Sequence, residues 1–234
     1  MWSNELLLVL TAALSTGAVL TAWKLNRERI YSVILIFLIL ITIGGAKIIE
    51  LFGHVTNTGN VFYAAAFLST YFLIERYGKR EGVRSIWVGV LGVGIFSVLL
   101  QIVISYVGSA DTATLNDQLA AALAPAPRLA FASLAAYALS QTLNVYLYIY
   151  LKKRFNGKRL WLRANICNVL AQILDSCIFF GVAFGGVVAP AHIGDILLTG
   201  LIIKVTYMAI ASPLLYLNTI EQDDDGHYAT ITLQ

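Results

Sequence analysis

WLRANICNVLAQILDSCIFF (161–180) decides the fold. The stretch is apolar over the length of about 20 residues that a helix needs to cross some 30 Å of hydrocarbon. Asn165, Asn168, Gln172 and Asp175 interrupt it at spacings of three, four and three. That rhythm keeps the four polar side chains on one face of a helix. An amphipathic helix this apolar belongs in a membrane, with its polar stripe turned away from lipid and toward partner helices.

The rest of the chain extends the pattern. Of 234 residues, 59% are hydrophobic and 12% are charged, against roughly a quarter charged in a soluble domain. Apolar runs at about 4–23, 30–52, 60–77, 85–107, 128–151, 160–186 and 193–217 predict seven membrane-spanning helices. The fold class expected is therefore all-α, a polytopic helix bundle with a six-helix core over 30–217. An additional N-terminal helix and its loop occupy 1–29, and a flexible acidic tail 218–234.

Charge sets the orientation. Lys24, Arg27, Arg29, Arg76, Lys79, Arg80, Arg84, Lys152, Lys153, Arg154, Lys158, Arg159 and Arg163 all fall on one side of a seven-span arrangement. The positive-inside rule makes that side cytoplasmic, placing the N-terminus outside and the C-terminus inside. Trp23, Trp87 and Trp161 fall at the same ends, where indoles favour the interface. The loops GHVTNTG and SADTATLNDQLAAALAPAP carry no Lys or Arg and face outward. The basic residues report topology, so no nucleic-acid partner is expected. Cys167 and Cys177, ten apart in one apolar run, fit neither a disulfide nor a metal pair.

Ionisable and amide side chains at membrane depth mark function by default. The fifth helix carries Tyr137, Ser140, Gln141, Asn144 and Tyr148 with the same rhythm as the sixth. SQTLNVYLY (140–148) and AQILDSCIF (171–179) echo one another on helices of opposite direction, in the manner of transporter inverted repeats. Asp175 and Lys204 fall mid-span and are expected to pair, either as the centre of a site or as a lock on helix packing. Lys47 and Glu50, at i,i+3 on the second helix, are expected within pairing reach of each other or snorkelling to the outer interface. For Arg128, after Pro125 and Pro127, a helix anchor and a ligand contact are both open. Glu75 closes the third helix.

Four strings carry a resemblance: TNTGNVFYAAAFLSTYFLIERYGKR (56–80), PRLAFASLAAYALSQTLNVYLY (127–148), WLRANICNVLAQILDSCIFF (161–180) and GDILLTGLIIKVTYMAIASPLLY (194–216). Together they resemble the queuosine precursor transporter family, of vitamin-uptake-transporter type, over about residues 40–217. The resemblance implies a transporter of the plasma membrane, not an enzyme, that imports a 7-deazaguanine such as the 7-cyano or 7-aminomethyl compound. It implies a binding site drawn from Lys47, Glu50, Asn60, Tyr71, Glu75, Arg128, Gln141, Asn144, Asn168, Gln172, Asp175 and Lys204. A carboxylate such as Asp175 or Glu75 would accept the base's N–H donors, and Tyr63, Tyr137 or Tyr148 would stack on its ring.

Three positions depart from the family pattern. Tyr71 and Asn144 stand where acids are common, and Lys47 where a small amide is common. Two acids lost and a base gained disfavour a cationic ligand, so the neutral cyano compound is expected over the aminomethyl one. No cofactor or metal is called for. The expected partners are a nucleobase-like small molecule and membrane lipid, and a homo-oligomer stays open. With no ATPase motif, an ion gradient must drive active transport, with Asp175 or Glu75 carrying the proton; the alternative is a substrate-capture subunit of a separately energised transporter. A retinal-binding protein using Lys204 for a Schiff base is a second alternative, but the third helix offers no acid before Glu75 as counter-ion.

Overall fold

The computed structural model describes residues 3–45, 47–123, 127–184, 193–218, 220–222 and 228–230. Within them the chain is all-α apart from two short hairpins. Its helices are α1 (Asn4–Leu25), α2 (Arg27–Gly44), α3 (Gly59–Tyr77), α4 (Lys79–Ile104), α5 (Ala113–Leu123), α6 (Pro127–Arg154), α7 (Leu160–Phe184) and α8 (Ile193–Ala211). A 3-10 stretch, Ser212–Asn218, continues from α8, where Pro213 removes a backbone donor.

α3 is the axis. Its residues are buried from Gly59 to Glu75 with little interruption, and α1, α2, α4 and α8 pack around it. α6 and α7 pair along their lengths. The outer surface is as apolar as the core: α1 exposes Leu6, Leu7, Val9 and Leu14, and α4 exposes Leu91, Ile95, Val98 and Leu99. Such a skin suits lipid, where burial of polar groups inside and apolar groups outside reverses the usual arrangement. Among the described residues, α1, α4 and the stretch Leu197–Leu217 are long and apolar enough to cross a membrane. This is a membrane protein.

The second predicted span is shorter than its apolar run. Gly44 and Gly45 end α2, and Thr58 closes over that end by donating to the Gly44 carbonyl at 2.9 Å. A Cβ on Gly44 would sit 2.9 Å from the Thr58 hydroxyl, so only glycine lets the strand and helix meet. Beyond this point the chain forms a hairpin: β1 (Ile48–Leu51) pairs antiparallel with β2 (His54–Asn57), Leu51 facing His54. Phe52 and Gly53 between them both have positive φ, 51° and 80°, the signature of a type I′ turn. Period-two alternation and β-branched residues won over mere apolarity. The connection after α4, read from the sequence as a loop, holds a 3-10 turn (Ala110–Thr112) and α5. In the tail, expected flexible, β3 (Ile220–Gln222) pairs with β4 (Tyr228–Thr230).

The N-terminal helix is more than an appendage. Ser3 caps it, Asn4 donates to the Glu50 carbonyl at 2.9 Å, and Glu5 accepts from the Phe52 amide at 3.3 Å. Further along, Thr16 shares a 2.8 Å hydrogen bond with Tyr207 of α8. At the other end Arg76 donates to the Trp23 carbonyl and stands over the Trp23 and Tyr77 rings.

Candidate functional site

The two polar stripes face inward. On α6, Ser140, Gln141, Asn144 and Tyr148 have no exposed surface, and on α7 the same holds for Asn168 and Gln172. They meet because α6 and α7 run antiparallel, with Ser140 3.4 Å from Asp175. Asn165 leaves the stripe and turns to Ser212, at 2.9 Å.

Asp175 is the hub of one cluster. Its Oδ1 accepts from the Tyr63 hydroxyl at 2.5 Å and from Ser140 at 3.4 Å. Its Oδ2 lies 3.8 Å from the Lys204 ammonium. Lys204 in turn stands over the Tyr63 ring, 4.3 Å from its centroid, so a cation–π contact supplements a loose ion pair. Three helices, α3, α7 and α8, meet in this one knot, with α6 adding Ser140. The expected Asp175–Lys204 proximity is present.

Glu75 anchors a second knot at the basic end of the bundle. Arg163 donates to its Oε1 at 2.7 Å and Lys152 to its Oε2 at 3.1 Å. Arg163 also reaches the Gly157 carbonyl at 2.8 Å and lies over the Tyr148 ring. By charge pattern alone, Arg163 and Lys152 belong with the topological residues. Arg163, one turn inside α7, is 1% exposed and pairs internally. Its place within the helix, not the loop, was the available signal.

α3 joins the two knots. Tyr63 and Tyr71 lie eight apart on it, and each offers its hydroxyl to one of the echoed positions. Tyr63 donates to Asp175, and Tyr71 donates to Asn144 at 2.6 Å and to the Ala164 carbonyl at 3.1 Å. The echo of 140–148 in 171–179 thus has a physical counterpart: matched positions Asn144 and Asp175 each hold a tyrosine of the central helix. The Tyr71 ring stacks on Tyr148 at 4.6 Å, and Tyr63 meets Tyr137 edge-on at 6.5 Å.

Between the knots several buried polar atoms lack any hydrogen-bond partner, Gln141 Nε2, Asn168 Nδ2 and Gln172 Oε1 among them, and Tyr137 Oη, one turn from Ser140, lacks one too. The other ends of these amides are fixed. Gln141 Oε1 accepts from Asn144 at 3.2 Å, and Gln172 Nε2 donates to Asn168 at 3.5 Å. Buried orphans are costly, and a cluster of them has the chemistry to take a polar ligand or ordered water.

The remaining expected residues stand apart. Lys47 precedes β1 and Glu50 lies within it, both exposed; a strand, not a helix, carries them, so the expected i,i+3 pairing face does not form. Asn60 is buried against Gly200 of α8 and bonds Thr56 at 3.0 Å. Arg128 belongs to the first turn of α6, and its side chain is outside the described residues. So are His192 and His227. No group of three or more His, Cys, Asp or Glu among the described residues could hold a metal.

A family profile described as "Putative vitamin uptake transporter" matches residues 57–218, which contain both knots and the orphaned amides. A "Probable queuosine precursor transporter" of Bacillus subtilis (strain 168) is 33% identical over 172 residues, 73% of this chain and 74% of that protein. No solved structure matches the chain. The profile spans more than half of the chain and the relative more than two thirds, so the chain belongs to the vitamin uptake transporter family, as a transporter and not an enzyme.

Proposed function

We propose that this protein imports a 7-deazaguanine precursor of queuosine, the 7-cyano compound in preference to the aminomethyl one. The observation that carries the reading is the sealed polar column from Lys204 and Asp175 to Glu75, with unpartnered amides at its centre. A small planar polar base suits such a column, and the relative's name supplies the compound class. The substitution of acids by Tyr71 and Asn144 favours a neutral ligand, since both side chains line the column. Lys47 drops out of that charge count because it is exposed on the hairpin.

The protein crosses the plasma membrane seven times, through α1 to α4 and α6 to α8, with the N-terminus outside. Transport is driven by an ion gradient, and Asp175 is the proton carrier. Of the two candidate acids, it has the weaker partner: its lysine is 3.8 Å away, whereas Glu75 holds cations at 2.7 and 3.1 Å. The test is uptake of labelled 7-deazaguanines into cells lacking their own transporter, with wild type, Asp175→Asn and Lys204→Ala. Uptake is expected in wild type and lost in both variants. Equal uptake by all three rejects the central pair, and a purified protein that prefers the aminomethyl compound rejects the charge argument.

A further inference from the structure

We infer that the carboxamides Gln141, Asn168 and Gln172, not the carboxylates, read the base, and that they select a 2-amino-6-oxo edge. The inference rests on the transport reading above and names the chemistry of the same site.

The carboxylates are already occupied. Asp175 holds Tyr63, Ser140 and Lys204, and Glu75 holds Arg163 and Lys152. Recruiting either as a bidentate acceptor would strip a buried cation of its counter-charge, a large cost at low dielectric. The amides are in the opposite condition. Each has one end fixed by a neighbour or by its partner amide and the other end unpartnered at zero exposure. Two of the free ends are N–H donors, Gln141 Nε2 and Asn168 Nδ2, and one is an acceptor, Gln172 Oε1.

That inventory complements one kind of heterocycle. A 6-oxo group has two lone pairs, which take the two amide donors. The ring N–H and the 2-amino group are donors, and a carbonyl oxygen has two lone pairs to receive them. A 6-amino base without a 2-amino group presents a donor where the site donates and an acceptor where the site accepts. It would leave the orphans unpaired, and a site built on hydrogen bonds rejects such a ligand strongly. The geometry also explains the echo between α6 and α7. Gln141 and Gln172 occupy matched positions, and each is held by an asparagine of its own helix, Gln141 by Asn144 three residues on and Gln172 by Asn168 four residues back.

The experiment uses the purified full-length protein in nanodiscs and labelled 7-cyano-7-deazaguanine. Guanine is expected to compete and adenine to compete about a hundredfold less well or worse. Gln141→Leu and Gln172→Met should each weaken binding about tenfold or more while moving the melting temperature little, because each removes one unpaired buried polar end and strands one end of a neighbouring amide, Asn144 or Asn168. A merely structural role predicts a lowered melting temperature with binding within about twofold of wild type. If wild type binds no deazaguanine, the transport reading and this inference fall together. If wild type binds but adenine competes as well as guanine, or both variants bind within about twofold of wild type, this inference falls and the transport reading stands. The competition arm needs no variant, so it decides the matter even where a substitution misfolds.

Discussion

The Glu75 knot and the Asp175 knot contain similar parts, a buried acid, a cation and a tyrosine ring, yet they are put together differently. Glu75 has a cation on each oxygen at hydrogen-bond distance, and Arg163 is tied again to a backbone carbonyl. Asp175 has one lysine at 3.8 Å and neutral hydroxyls for the rest. The first arrangement is over-determined and holds three helix ends in place. The second rests on one longer contact to a single cation, with hydroxyl donors supplying the rest. Similar chemistry thus yields a tightly held acid in one place and a loosely held one, proposed above as the working centre, in the other, and the difference lies in how many strong donors each acid has.

The most damaging way to probe this contrast is Glu75→Ala, which strands two cations. Stability is expected to fall by about 3–5 kcal/mol, read as a lower unfolding temperature in detergent, whereas a loss below about 1 kcal/mol would show that the knot is no fastener. Asp175→Asn is the next test. Because an asparagine oxygen still accepts from Tyr63 and Ser140, its stability cost should be smaller than that of Glu75→Ala, while uptake drops about tenfold or more. The double variant Asp175→Asn with Lys204→Met removes the stranded ammonium and should recover base binding without recovering accumulation against a gradient. Recovery of accumulation would remove Asp175 from the coupling role.

Smaller effects distinguish the two tyrosines. Tyr71→Phe abandons two buried acceptors, Asn144 and the Ala164 carbonyl, and should cost about 1–3 kcal/mol; Tyr63→Phe abandons a carboxylate that keeps Lys204 and Ser140, and should act on transport more than on melting. Equal melting shifts for the two would contradict the contrast. Smallest is Gly200→Ala, whose Cβ would lie 3.2 Å from both amide atoms of Asn60. A shift of about 1 kcal/mol or less in stability is expected, because the amide can give by a few tenths of an ångström.

Much of the arrangement of the candidate site was legible beforehand because helical rhythm in a membrane is a strong signal. The stripe at Asn168, Gln172 and Asp175, its echo at Gln141 and Asn144, and the Asp175–Lys204 proximity all follow from spacing and depth. Spacing could not give partner choice across helices: that Tyr63 serves Asp175, that Tyr71 serves Asn144, and that Arg163 turns inward to Glu75. Those depend on the packing of α3 against α6 and α7. The hairpin at 48–57 escaped for a different reason. Apolarity extended the predicted helix through Ile48, Ile49 and Leu51, and the Gly44–Gly45 pair that stops it reads equally well as a packing motif.

The junction at that hairpin has a consequence for where this protein can be divided. The family-wide pattern begins at residue 57, the last residue of β2, opposite Ile48. An excised cassette starting there would lose the hairpin but for Asn57, the α2 wall beside α3, and the Thr16–Tyr207 tether from α1 to α8. The shared sequence therefore marks the machinery, while the physical chassis that holds it upright is built from residues on both sides of the boundary. Chimaeras between relatives should be joined in the turn at Gly78 between α3 and α4, or in that at Asn156–Gly157 between α6 and α7, where a short stretch of left-handed backbone separates finished helices.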